Sequence, residues 1–197
     1  METYKVKLTF IEPLLGTVPM NREIYEEYIA TKAASPEEAD QEALTVEEMV
    51  EKGTTGFHRT PDGQPILYDY VLKGFFKDAC SALRRAKGTR SEKLTNFKKV
   101  IDGLVFVRPR QIPITVAGEM DFCVRPLRAQ TAQGERVTLA RSEQIPAGSS
   151  VEFTVNVLGV VSEDLLAEWL DYGALRGLGQ WRNASYGAFE YTMERLG

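Results

Sequence analysis

Residues 173–191, Gly-Ala-Leu-Arg-Gly-Leu-Gly-Gln-Trp-Arg-Asn-Ala-Ser-Tyr-Gly-Ala-Phe-Glu-Tyr, combine glycine, arginine and aromatic side chains in a pattern suited to a phosphate-bearing strand. Glycine turns with positive φ and admits another backbone closely. Backbone amides over Gly177, Gly179, Gln180 and Gly187, with Arg182 and Arg176 nearby, can therefore hold phosphates. Trp181 and Tyr186 offer faces on which bases can stack. This is not a Walker loop, because no Gly-Lys-Ser/Thr follows the glycines. It is not a dinucleotide fingerprint either, because a helix precedes the loop and a strand follows it. The same glycines would also serve a tight connection that binds nothing.

Three further groups of residues could do chemistry. Lys73, Lys77 and Arg84 lie along one side of an expected helix that contains Gly74, an unfavourable helix residue that points to close packing or to the approach of a ligand. An ordinary solvated helix face would show the same charges. Between 121 and 153, Arg125, Arg128, Arg136 and Arg141 recur along two expected strands joined by Ala129-Gln130-Thr131-Ala132-Gln133-Gly134. Arginines on paired strands can track a phosphate backbone; ion pairs to Glu135 or Glu143 would be the structural alternative. His58, the one histidine, sits beside Arg59 and could act as a base in metal-independent cleavage, or be a structural or surface histidine. No carboxylate pair and no Cys/His cluster stands out, so we expect no metal, no cofactor and no committed catalytic residue.

The elements that must position these residues follow from periodicity. Residues 4–11 alternate as a strand, with Tyr4, Val6, Leu8 and Phe10 on one face. Asn21 could cap a helix over 22–33, and the ten acids and one base of residues 23–51 read as a solvated helical insertion closed by Gly53. Pro61-Asp62-Gly63 predicts a hairpin near His58. Residues 70–88 predict a helix with Leu72, Phe75, Phe76, Ala79, Cys80 and Leu83 as its apolar stripe. A second helix is expected over 91–103, capped by Ser91. Strands are expected at 104–107, 111–116, 121–127, 135–141 and 151–159, then a capped helix at 162–172 and a last strand at 188–193. With no linker or repeat, this is one α+β domain, 1–197, with a mostly antiparallel sheet and an acidic insertion at about 21–53.

Composition bounds the function. The 197 residues suffice to bury roughly 70% of the unfolded chain's surface without disulfide or metal. Two cysteines, Cys80 and Cys123, fit a reducing cytosol, and no apolar run is long enough for a membrane span. The net charge of -4 conceals segregation: residues 1–72 carry -8, 73–141 carry +9 and 142–197 carry -5. A basic segment of that kind is compatible with an anionic partner.

Taken in order, these features resemble the RAMP superfamily, the ferredoxin-like proteins of CRISPR effector complexes. Leu72-Lys73-Gly74-Phe75-Phe76-Lys77 approximates the family's Lys-Gly helix start, and Glu143-Gln144-Ile145-Pro146-Ala147-Gly148 its turn before a strand. Gly177-Leu178-Gly179-Gln180-Trp181-Arg182 with Tyr186-Gly187-Ala188-Phe189 is similar to its closing glycine loop. The family's usual Pro-Gly-Ser-Ser is replaced by Tyr68-Asp69-Tyr70-Val71, and Asp62 and Asp69 match no catalytic loop aspartate of the family. The resemblance, strongest to the backbone type of subunit, implies a modified ferredoxin-like or RRM-like sheet with helices on one face. It implies binding of single-stranded RNA or DNA, RNA first. It further implies assembly with copies of the chain or with other CRISPR-type subunits, in a CRISPR system, a phage or another mobile element. An endoribonuclease using His58 and a CRISPR inhibitor that resembles a subunit are the alternatives it leaves.

Overall fold

The computed structural model describes residues 1–20, 53–131 and 134–196. The acidic insertion and the helix expected after Asn21 lie outside the described residues. The chain builds an α+β, ferredoxin-like fold around a 7-stranded antiparallel sheet. Strand β1 (Glu2–Phe10) lies next to one end of it, between β11 (Ser150–Val157) and the end strand β12 (Phe189–Arg195). Beyond β11 the sheet continues through β8 (Gln111–Thr115), β6 (Pro65–Tyr68) and β5 (His58–Arg59), and β7 (Val105–Arg108) also pairs with β11.

Alternation in β1 puts Tyr4, Val6, Leu8 and Phe10 into the core, as period two requires. The opposite face carries Lys5 and Lys7, both close to Glu152 of β11 at 3.5 and 3.6 Å. Two helices cover the apolar face. Helix α1 (Asp69–Leu83) buries Leu72, Phe75, Phe76, Ala79 and Cys80, the expected stripe. Helix α3 (Glu163–Asp171) buries Leu165, Leu166, Trp169 and Leu170. The Ser162 side chain accepts the Leu165 amide and caps α3, and Glu163 and Asp164 follow in its first turn.

Local expectations about α1 and the following helix are corrected. Ser91 does not cap a helix over 91–103; it is fully buried, donates its hydroxyl to Glu168 at 2.6 Å and accepts Trp169 Nε1–H at 3.0 Å. A buried indole N–H needs an acceptor, and this tertiary requirement took the hydroxyl from the cap. The helix there, α2 (Phe97–Leu104), starts after Asn96 in the left-handed region and runs directly into β7. Gly74 of α1 faces open space, so close packing is not the reason for its glycine.

The second sheet holds β2 (Leu14–Leu15), β3 (Val18–Pro19), β4 (Thr54–Gly56), β9 (Asp121–Thr131) and β10 (Gly134–Ile145). β9 and β10 form one long antiparallel hairpin, from Asp121↔Gln144 to Thr131↔Gly134. Residues expected to form a loop, 129–131 and 134, are strand, because continued pairing satisfies backbone groups that a loop would expose. Pro126 fits because, among the described residues, β9 pairs only with β10 and is an edge. A short helix α4 (Gly173–Arg176) connects α3 to the glycine loop.

Candidate nucleic-acid interface

The glycine loop packs between β12, the segment after β1, and one face of the β9–β10 hairpin. Gly177, Gly179 and Gly187 all have positive φ, at 76, 82 and 71°. A side chain on Gly187 would overlap the Leu178 carbonyl, and one on Gly177 would overlap the Tyr186 carbonyl. These two glycines thus allow the loop's two arms to touch, and the Leu178 amide donates to the Gly187 carbonyl at 2.9 Å. The Gly187 amide donates to Pro13 O at 2.8 Å, and Ala188 O accepts from Ile11 N at 2.9 Å. Several amides expected to face a ligand are consequently used inside the protein; the amides of residues 179–183 are not part of these backbone bonds.

Trp181 and Ser185 hold positive φ without being glycine, at 56 and 65°. Such backbone is costly for a residue with a Cβ and tends to cluster where function demands it. Trp181 is 41% exposed and stacks on Tyr186 with ring centroids 5.1 Å apart and planes 16° apart. The Tyr186 hydroxyl lies 3.5 Å from Cys123 Sγ of β9, and this contact, followed by burial, raises its pKa.

Beneath Trp181 lies Arg125. Its guanidinium is 4.8 Å from the indole, and the residue is only 6% exposed. Nη1 donates to Ser142 Oγ at 3.2 Å and Nη2 to Gln180 Oε1 at 3.1 Å, whereas the buried Nε has no acceptor. Among the described residues no carboxylate pairs with Arg125. A buried, unneutralised cation is expensive unless an anion arrives to pair with it.

Gln180 acts as a clamp. Its Nε2 shares two N–H groups among three acceptors, Thr55 Oγ1 at 2.8 Å, Ser142 Oγ at 2.9 Å and Gly16 O, joining β4, β10 and the turn after β2. Arg182 and Arg176 both reach Asp78 of α1, at 2.8 and 3.2 Å. Asp78, one of the few acids of the basic segment, was not singled out from sequence; its rarity there is the signal that marks it.

The hairpin separates its arginines. Arg125 shares a face with Cys123, Ala140 and Ser142, under the loop. Arg141 is on the other face, 3.8 Å from the Phe122 ring, beside exposed Val124 and Leu139. The alternation of β-strands, one residue out of register between the two, imposes this. Arg128 occupies β9 opposite Val137, and its side chain, like that of Arg136 and Glu135, lies outside the described residues. For Arg125 and Arg141, the structural alternative of an ion pair to Glu143 is not seen: Glu143 accepts Arg59 Nη2 at 2.6 Å and the Phe57 amide at 3.0 Å.

The charges of α1 are arranged differently. Lys73 Nζ donates to Asp102 O at 3.0 Å, Lys77 pairs with the Asp102 carboxylate at 2.5 Å, and Arg84 lies over the Phe97 ring at 5.2 Å. All three are committed to α2.

His58 meets the Tyr68 ring edge-on at 4.7 Å, and its Nε2 lies 3.5 Å from the Tyr70 hydroxyl. Burial lowers its pKa, which favours the neutral imidazole. Arg59, its neighbour in sequence, is held by Glu143 and by Gly63 O at 3.0 Å.

A 770 Å³ cavity between residues 88–95 and α3 is lined by Arg90, Glu92, Lys93 and Glu168. Its groups answer one another: Arg90 pairs with Asp164 at 2.7 Å, and Glu168 accepts the Arg90 and Ser91 amides. Among the described residues no three His, Cys, Asp or Glu side chains are grouped to hold a metal, and no helix is long and apolar enough to cross a membrane.

No family model and no curated protein matches the chain. Among solved structures it is similar to a chain of a Type III-B Cmr-beta complex bound to cognate target RNA, with a TM-score of 0.56 and 13% identity. That match covers 99% of this chain and 60% of the other, so the protein spans about 60% of the length of that neighbour. A chain of a Type IV-B CRISPR complex matches with a TM-score of 0.47 and 12% identity, over 98% and 90% of the two chains. The α+β architecture is therefore one shared with a chain of the Type III-B Cmr-beta complex.

Proposed function

We propose that the protein binds single-stranded nucleic acid, RNA in the first place, as a subunit of the CRISPR-associated RAMP type. The observation that carries this reading is Arg125, a guanidinium nine-tenths buried with no carboxylate among the described residues and an unpaired Nε, beneath a half-exposed Trp181. A phosphate supplies the missing charge, and the indole with Tyr186 supplies a stacking face for the attached base. Arg141, on the hairpin's outer face, adds a second cation. The fold shared with a chain of an RNA-bound complex supports the choice of RNA.

Side-by-side assembly on the strand is part of the proposal. The outer face of the hairpin leaves Phe122, Val124 and Leu139 37, 55 and 37% exposed, an apolar row suited to a neighbouring copy or another CRISPR-type subunit. The decisive experiment is fluorescence anisotropy of a labelled single-stranded RNA against the purified chain over a salt series. Binding at low salt, with log K falling linearly against log salt, supports the proposal. No binding to RNA or single-stranded DNA at low salt refutes it.

A further inference from the structure

A second group of side chains, on the β5–β6 hairpin and the start of α1, is not used by the reading above. Tyr68 and Tyr70 stack with ring centroids 5.5 Å apart and planes 11° apart. Tyr70 stands in the first turn of α1 and is 57% exposed, so its ring contributes little to the core. Tyr68 is locked in place: His58 packs edge-on against it, and Gln111 Nε2 donates to its hydroxyl at 3.3 Å. The Arg110 guanidinium lies 6.0 Å from the Tyr68 ring, and the backbone of Arg110 is fixed by the Asp69 amide, which donates to its carbonyl at 3.0 Å. Asp69 is the nearby acid, and its Oδ1 accepts the Tyr70 amide at 2.9 Å.

A rigid pair of stacked phenol rings beside an arginine is what an unpaired nucleotide requires. The base extends the stack, and the guanidinium meets the phosphate. The polar neighbours make the site amphipathic, unlike an apolar protein-docking patch: a histidine ring nitrogen and a glutamine amide border the rings.

We propose that Tyr70, Tyr68 and Arg110 form a stacking site for one unpaired nucleobase and its phosphate, separate from the Arg125–Trp181 site. The inference rests on the reading of the protein as a single-strand binder and adds a base-dependent contact to it.

The test uses the full chain and two labelled strands of equal length, one of oligouridine and one abasic with the same phosphates. Tyr70→Ala should lose about tenfold in affinity for oligouridine and nearly nothing for the abasic strand, because stacking needs a base. Tyr70→Phe, which keeps the ring, should retain binding. Arg110→Gln should weaken both strands and flatten the salt dependence. Equal affinity of Tyr70→Ala and wild type for oligouridine, or an equal loss on both strands, overturns the stacking site and leaves the single-strand reading intact. Failure of the wild-type chain to bind either strand at low salt overturns both.

Discussion

Two regions of this molecule carry clustered positive charge, and they are built on opposite principles. Along α1, Lys73, Lys77 and Arg84 each have a partner on α2: the Asp102 carbonyl, the Asp102 carboxylate and the Phe97 ring. At the junction of hairpin and glycine loop, Arg125 is buried, and among the described residues it meets no acid, only neutral hydrogen bonds and an indole. In sequence the first cluster looks more like a nucleic-acid footprint, being denser and more basic. In space these cations stay at or near the surface, where Lys77 meets a carboxylate and water reaches Lys73 and Arg84. What distinguishes Arg125 is burial without a carboxylate among the described residues, and neither net charge nor local density reports that.

The comparison can be broken at several points. The largest effect is expected from Gly187→Ala, where positive φ and overlap with the Leu178 carbonyl combine. It should cost about 3 kcal/mol and lower Tm by roughly 6–12 °C, measured by thermal unfolding. Next comes Arg125→Met, which should lose about 2 kcal/mol of RNA binding, or roughly 30-fold, and reduce the salt slope by about one ion. Its fold should survive, because removing the buried charge also removes its desolvation cost. Trp181→Ala should cost about tenfold in affinity for a single strand by anisotropy. Lys73→Ala and Lys77→Ala should change affinity by less than about threefold and stability by under about 1 kcal/mol, as suits an exposed hydrogen bond at Lys73 and a half-exposed ion pair at Lys77. If these lysine variants weaken binding as much as Arg125→Met, the distinction between surface and buried cations fails.

The smallest expected effect is one of pH. Burial holds the His58 pKa below its ordinary value, so near pH 6 the native state binds fewer protons than the unfolded chain. Stability should be full above about pH 6.5 and decline below it as the unfolded chain takes up its proton first. Urea unfolding at about pH 7.5 and 5.5 should show this difference in wild type and a smaller one in His58→Asn.

Much of the architecture was legible in the residues. Strand β1, the stripe of α1, the cap of α3 and the turn at Pro61-Asp62-Gly63 all rest on neighbours within a few positions. The candidate interface was legible in part: Arg125, Gln180, Trp181 and Tyr186 were chosen by type and do meet in space. Their roles were less legible. Gln180 proved a clamp between elements, Arg182 is tied to Asp78, and Arg141 points away from Arg125 because of strand alternation. Ser91 carried a valid capping signal that a buried indole overrode.

The sequence by itself determined the elements and the glycine pattern of the closing loop, because helix stripes, strand alternation and positive-φ turns are decided by residues close along the chain. Only the tertiary structure decided which charges remain available. The bonds that settle it span long separations: 55 residues from Arg125 to Gln180, 104 from Arg182 to Asp78 and 125 from Gln180 to Thr55. Burial and pairing of charge are properties of those distant contacts, so the buried guanidinium under Trp181, without a carboxylate among the described residues, could be recognised only once the chain was folded.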